Sequence, residues 1–273
     1  MGDSSIPANN DYTSEALASD LKGVLDFLKI NETLIFSHDK GCGPAAALAV
    51  QNRNLVKGVG FAEYVLPGYG YEEFWTPAPN WNLYQNWQLA FFAVPDAAEF
   101  FIRGREKDML SWYFYHSSYS GPESITTDHL ERYTNSISKP GFLRSMMGPF
   151  ATYTVAADNK FFNRTLRAKP LDIPVLALGG EASLSPLALI QQIWGPVGTN
   201  VIADVVPKAG HWIGNCSLLN VTAYAYCDTA DENPSWVAER LINFFAPIAS
   251  SVPSIDLSWL ENKVTLPGVN LGN

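Results

Sequence analysis

Apolar positions from Tyr12 to Lys29 keep a helical beat: Leu17, Leu21, Val24, Leu25 and Leu28 recur at i, i+4, i+7, i+8 and i+11, one stripe of a 3.6-residue period. Thr13 and Ser14 supply N-cap oxygens ahead of it. Residues 33–37 (TLIFS) form an unbroken apolar run instead, the pattern of a strand buried in a parallel sheet. The run breaks at His38-Asp39-Lys40-Gly41, and small residues from Pro44 to Val50 restart a helix. A second buried strand over 55–61 ends in Ala62-Glu63. Strand, tight turn, helix, strand is a βαβ crossover.

After Pro67-Gly68-Tyr69-Gly70 the alternation stops. Residues 72–167 are rich in aromatics and predict helices over 97–104, 106–116, 127–136 and 142–156, the composition of an inserted helical cap. The sheet resumes at 174–180, followed by a helix over 186–193 and a strand over 201–206. Residues 213–233 predict a loop insertion, and an amphipathic helix runs from Pro234 to Phe245 with Trp236, Val237, Leu241, Ile242 and Phe244 inward. The predicted organisation is therefore a first core segment (1–71), the cap (72–167), a second core segment (168–245) and a loosely attached tail (246–273).

Composition narrows the function. The chain of 273 residues carries a net charge of −9, which repels phosphate and excludes a nucleic-acid partner. No apolar run approaches the ~18 residues of a membrane span. Aromatics at 13 %, eight of them Trp, suggest an apolar cavity and a small apolar substrate. Cys42, Cys216 and Cys227 form no CxxC pair and no zinc spacing; Cys216 and Cys227 either close a loop or stay reduced. Met1 opens on Gly-Asp-Ser-Ser, without a basic n-region or apolar h-region, while Asn31, Asn163, Asn215 and Asn220 head N-x-S/T sequons. The compartment stays open: cytoplasmic as the chain is written, secreted if a signal precedes it.

The turn Ser37-His38-Asp39-Lys40-Gly41 places small residues two before and two after a reactive side chain, between a strand and a helix. That is the pattern of a nucleophile elbow, which thrusts its central side chain out above the sheet edge over a helix N-terminus. With aspartate at the apex the nucleophile is a carboxylate. It displaces a leaving group from an electrophilic carbon and leaves an alkyl ester on the enzyme.

The segment SHDKGCGPAA resembles the elbow signature of the α/β-hydrolase superfamily in its epoxide hydrolase and haloalkane dehalogenase branch. VPKAGHWIG is similar to that family's late histidine motif, and NWQLAFFAVPDAAEFFIRGREKDMLSWYF and MGPFATYTVAADN to its two cap segments. The resemblance implies an α/β fold with a mostly parallel sheet and an inserted helical cap. It implies Asp39 as nucleophile and His211 as general base, with Glu63 or, failing that, Glu181 as the acid that orients the imidazole. The backbone N–H of Lys40 would serve the oxyanion. Tyr153 would protonate the opening oxygen, with Gln88 standing where the family has a His or Tyr partner. Trp87, Phe91 and Phe150 would line the pocket together with Gln88. No metal or cofactor is implied.

Two departures bear on the substrate. Lys40 replaces the Trp that holds halide in haloalkane dehalogenases, and the paired Arg of fluoroacetate dehalogenases are absent, which favours an epoxide over a carbon–halogen bond. In the family resembled, four strands and an HGxP turn precede the segment that opens this chain. The reading is thus an N-terminally truncated sheet with 33–37 as an exposed edge, and the alternatives are a dehalogenase or a catalytically impaired homologue.

Overall fold

Four strands lie side by side in chain order, all parallel: β1 (Thr33–His38), β2 (Val56–Ala62), β3 (Leu171–Gly180) and β4 (Gly198–Val206). The structure, a computed structural model, describes residues 4–75, 79, 83–121, 125–213, 233–249 and 251–253. Ten α-helices surround the sheet among those residues: α1 (Ser14–Phe27), α2 (Cys42–Gln51), α3 (Leu83–Phe92), α4 (Pro95–Ile102), α5 (Glu106–His116), α6 (Thr127–Ile137), α7 (Phe142–Met147), α8 (Thr152–Arg164), α9 (Leu187–Trp194) and α10 (Pro234–Ala249).

Small and aromatic side chains set the layers. The alanines of α2 are buried on the sheet, and Phe61 of β2 stacks on Trp194 of α9 with centroids 4.4 Å apart. On the opposite face Val237 and Phe244 of α10 pack against Ala62, Leu176, Leu178 and Val206. Helices α3 to α7 gather a further apolar cluster around Phe92, Ile102, Leu110, Phe114, Leu130 and Met147. None of the described helices is long and apolar enough to cross a membrane.

Thr13 caps α1 as its position predicts, accepting from the Ala16 N–H at 3.2 Å. The predicted α1 stripe is only partly used: Ala18 is fully buried, whereas Leu21 and Val24 are 43 % and 56 % exposed. The helix approaches α2 through its small residues, and a Cβ on Gly43 would meet the Ser14 hydroxyl at 2.3 Å. That contact turns the leucine side partly outward. The predicted helix over 142–156 is two helices joined by a 3-10 turn at Gly148–Phe150, because Pro149 has no N–H to continue the ladder. Helix α3 was not anticipated, and α10 extends past Phe245 to Ala249. β1 pairs only with β2 among the described residues, leaving it at one end of the sheet with Phe36 exposed. Cys42 is a free, fully buried thiol whose pKa burial pushes up to about 12, so it packs as an apolar residue. Cys216, Cys227, most of the 213–233 insertion and most of the tail lie outside the described residues.

Candidate active site

Register places the candidate residues. Ser37 and His38 pair with Phe61 and Ala62, so the next residue on each strand, Asp39 and Glu63, leaves the sheet side by side at its C-terminal end. That end of an open parallel sheet is where ligands bind. Both residues take left-handed backbone angles, φ 47° at Asp39 and 54° at Glu63, strained values for a side chain with a Cβ. β3 ends at Gly180 and β4 at Val206, and the chain beyond β4 brings in Gly210-His211. Two glycines make the approach: a Cβ on Gly180 would stand 2.1 Å from the Gly210 carbonyl oxygen, and one on Gly210 would stand 2.7 Å from that of Ser117.

His211 is fixed from several directions. Its N–H donates to the Ser117 carbonyl at 2.7 Å. Its own carbonyl accepts from His38 Nε2 at 2.6 Å, which assigns the His38 tautomer. Its Nδ1 donates to Glu63 Oε2 at 3.0 Å, and Nε2 faces Asp39 Oδ2 at 3.6 Å. Glu63 is buried and accepts three further bonds: from the Gly180 N–H (2.6 Å), the Ser183 hydroxyl (2.6 Å) and the Leu184 N–H (3.1 Å). Glu181 takes no part; its carboxylate is exposed and accepts from the Lys208 N–H.

The charges follow from this geometry. Burial works against the Asp39 carboxylate, but His211, His38 and Lys40 hold its pKa below the ordinary aspartate value. Burial likewise opposes a charge on His211, and the Asp39 and Glu63 carboxylates overcome it, raising its pKa to about 10. His38 is pushed down, first by burial and then by His211, and stays neutral.

A cavity of about 260 Å³ opens over Asp39, His211 and Glu63. Among the described residues its wall includes Tyr64, Tyr71, Gln88, Tyr113, His116 and Ser183. Lys40, one residue past the apex, points its ammonium away into an aromatic box. Nζ donates to Tyr71 Oη at 2.7 Å and Tyr64 Oη at 3.3 Å, and lies 4.0 Å from the Tyr71 ring centroid and 4.3 Å from that of Phe150.

The sequence-predicted residues Asp39, His211, Glu63 and Gln88 therefore meet at one cavity, and Phe150 backs it through Lys40. Tyr153 departs from expectation. It sits in the first turn of α8, 58 % exposed and off the cavity wall, because the buried face of that turn is taken by Thr154 and Val155. Trp87 is 38 % exposed and packs on Phe91 and Trp112, and Phe91 packs on Phe92 and Phe101; neither lines the cavity. Sequence reasoning missed Tyr71, Tyr113, His38 and Ser183. The two tyrosines belong to the aromatic-rich segment but carry no spacing signal that singles them out.

No family model matches the chain. It is 25 % identical over 249 residues to a soluble epoxide hydrolase of Corynebacterium sp. strain C12, spanning 91 % of this chain and 78 % of that protein. It is 26 % identical over 228 residues to mouse epoxide hydrolase 4, spanning 78 % of this chain and 58 % of that one. The solved structure of epoxide hydrolase CorEH superposes with a TM-score of 0.74 at 23 % identity, over 91 % of this chain and 79 % of the other. The chain has the α/β-hydrolase fold, with a four-stranded parallel sheet among its described residues and helices packed around it. The two curated proteins it is similar to are epoxide hydrolases, and His211 Nε2 faces the Asp39 carboxylate at the sheet's C-terminal edge.

Proposed function

We propose that this protein hydrolyses small epoxides through an ester on Asp39 that a His211-activated water then cleaves. The observation that carries the reading is the line Asp39–His211–Glu63, with Asp39 and Glu63 from the ends of adjacent strands and His211 from the chain beyond β4, opening on one cavity. Asp39 is ionised and held proud of the turn, ready for in-line attack on a ring carbon. Tyr71 and Tyr113 supply hydroxyls on the same wall, where the opening oxygen needs a donor. They take the part that the resemblance gave to Tyr153.

The charge state of His211 gives the sequence of events. While Asp39 is a carboxylate, His211 is an imidazolium and cannot act as a base. Ester formation neutralises Asp39 and removes one of the two charges that hold the proton. His211 then releases it to solvent and becomes a base for water, with Glu63 keeping the ring oriented. The Lys40 N–H, in the first turn of the helical segment, has no acceptor within that turn and is placed to steady the tetrahedral oxyanion. Restored as a carboxylate, Asp39 draws the proton back onto His211.

The test is turnover by the unaltered protein on styrene oxide beside 1-chlorobutane. The expected product is the diol from the epoxide. Absence of diol across an epoxide panel contradicts the reading, and chloride release without diol moves the activity to carbon–halogen cleavage.

A further inference from the structure

We propose that Lys40 and Tyr71 form a proton relay for ring opening, in which Tyr71 protonates the departing oxygen and Lys40 restores the Tyr71 proton. The inference rests on the Asp39-ester reading and adds the source of the proton that the reading requires. Three observations carry it. Lys40 Nζ donates to Tyr71 Oη at 2.7 Å, so the phenol accepts from a cation and is a stronger donor for it. Tyr71 and Asp39 line the same cavity, so one substrate touches both. The ammonium has no carboxylate within ion-pair distance among the described residues; its neighbours are the Tyr64 and Tyr71 hydroxyls and the rings of Tyr64, Tyr71 and Phe150.

A buried ammonium without a carboxylate at ion-pair distance gives up a proton at little cost. Burial lowers the Lys40 pKa to about 7, with the Asp39 and Asp158 carboxylates opposing that fall. The groups that face it across the box are Asp39 on its own turn, Tyr64 and Tyr71 beyond β2, and Asp158 on α8. Asp158 is tied by bonds from the Ser14 N–H (2.8 Å) and hydroxyl (2.6 Å), and burial raises its pKa to about 6. Tyr64 is pushed well above the ordinary tyrosine range, first by burial. Asp158 titrates on the acid side of the range and Tyr64 stays neutral, so a fall in rate above pH 7 that the Lys40→Met change removes is the one that belongs to Lys40.

The steps balance. An Asp39 oxygen bonds to the ring carbon, the carbon–oxygen bond breaks, and its electron pair stays on the oxygen, which takes the Tyr71 proton. The phenolate takes a proton from Lys40, leaving a neutral amine. When the ester is hydrolysed, water loses one proton to His211, which passes it to the departing alcohol. The carboxylic acid left on Asp39 loses its proton to the Lys40 amine. One water enters, one diol leaves, and both side chains regain their starting charge.

The experiment follows ester formation by rapid quench and intact mass in the His211→Gln protein, with styrene oxide as the probe, from pH 6 to 9. The relay predicts a rate that falls on the alkaline side as Lys40 loses its proton. Adding Lys40→Met lowers the rate at pH 6 by about tenfold and flattens the profile, and adding Tyr71→Phe lowers it by about 10²-fold. Tyr71→Phe removes one oxygen and keeps the ring on which Lys40 rests, so its effect reports the hydroxyl. Because the two act in series, Lys40→Met adds little once Tyr71 is Phe. An unchanged rate in either variant, or a Lys40→Met profile that still falls with pH, overturns the relay and leaves the Asp39 reading standing. Independent, multiplying effects overturn it too. Absence of any ester in the His211→Gln protein sinks both.

Discussion

The His211→Gln protein, incubated with styrene oxide, is expected to gain the mass of one substrate and keep it. Glutamine leaves Asp39 free to attack but offers no base for the water step. His211 is buried between two carboxylates, with Nδ1 bonded to Glu63 and Nε2 3.6 Å from Asp39. Among the described residues, His211 is the histidine whose ring nitrogen comes within 4 Å of the Asp39 carboxylate. Turnover should therefore fall by about 10²–10⁴-fold while the first chemical step survives. Peptide mapping of the adduct should place the added mass on the fragment that contains Asp39. Loss of both the adduct and the turnover would contradict the Asp39-ester reading.

Asp39→Ala is expected to cost more, on the order of 10⁴–10⁶-fold in turnover, because the atom that bonds to substrate is gone and no neighbouring group can take its place. Steady-state diol production measures it, and the His211→Gln/Asp39→Ala protein should show no adduct. The substitution also has a signature in stability. The folded-state pKa of His211 is raised to about 10, partly by Asp39, so its charge contributes stability that is complete below the unfolded value near 6.5 and is lost as pH rises through about 10. Lys40, its pKa lowered to about 7, contributes the opposite trend over the same range, so the signature is a difference: the gap in melting temperature between the unaltered and the Asp39→Ala protein should narrow from pH 7 to 10. A gap that stays constant would show that Asp39 does not hold the His211 proton.

Much of this site was legible from residue order. The run TLIFS followed by HDKG declared a strand entering a sharp turn, and VGFAE declared a second strand ending in a carboxylate. The parallel register then places Asp39 and Glu63 next to each other, a consequence of strand pairing rather than of spacing. The choice between Glu63 and Glu181 needed coordinates, since both follow buried strands. What separates them is where the chain around Gly180 and Gly210 folds, with Glu63 meeting Nδ1 and Glu181 turned to the Lys208 N–H.

The tyrosines that line the cavity, proposed above as donors to the leaving oxygen, were not legible. Tyr153 was chosen by motif, yet its helix starts one residue past a proline-broken turn and presents it to the surface. Tyr71 and Tyr113 come from segments with no periodic pattern that distinguishes a cavity-facing aromatic from a core one. In the sequence Lys40 counts for its backbone N–H and as the replacement of a halide-holding Trp, and neither points to a role for its ammonium. A lysine in a small-residue turn predicts a solvated ammonium, and only the close approach of Tyr64, Tyr71 and Phe150 makes it a buried one.

The central claim is that the oxygen delivered to substrate comes first from Asp39. Its most direct measurement is a single turnover in H₂¹⁸O, with enzyme in excess over styrene oxide. The account predicts an unlabelled diol from that first turnover and one ¹⁸O in the peptide carrying Asp39, read by mass spectrometry. Label in the diol and none in that peptide would show that water attacks the epoxide directly, and the covalent account would be wrong.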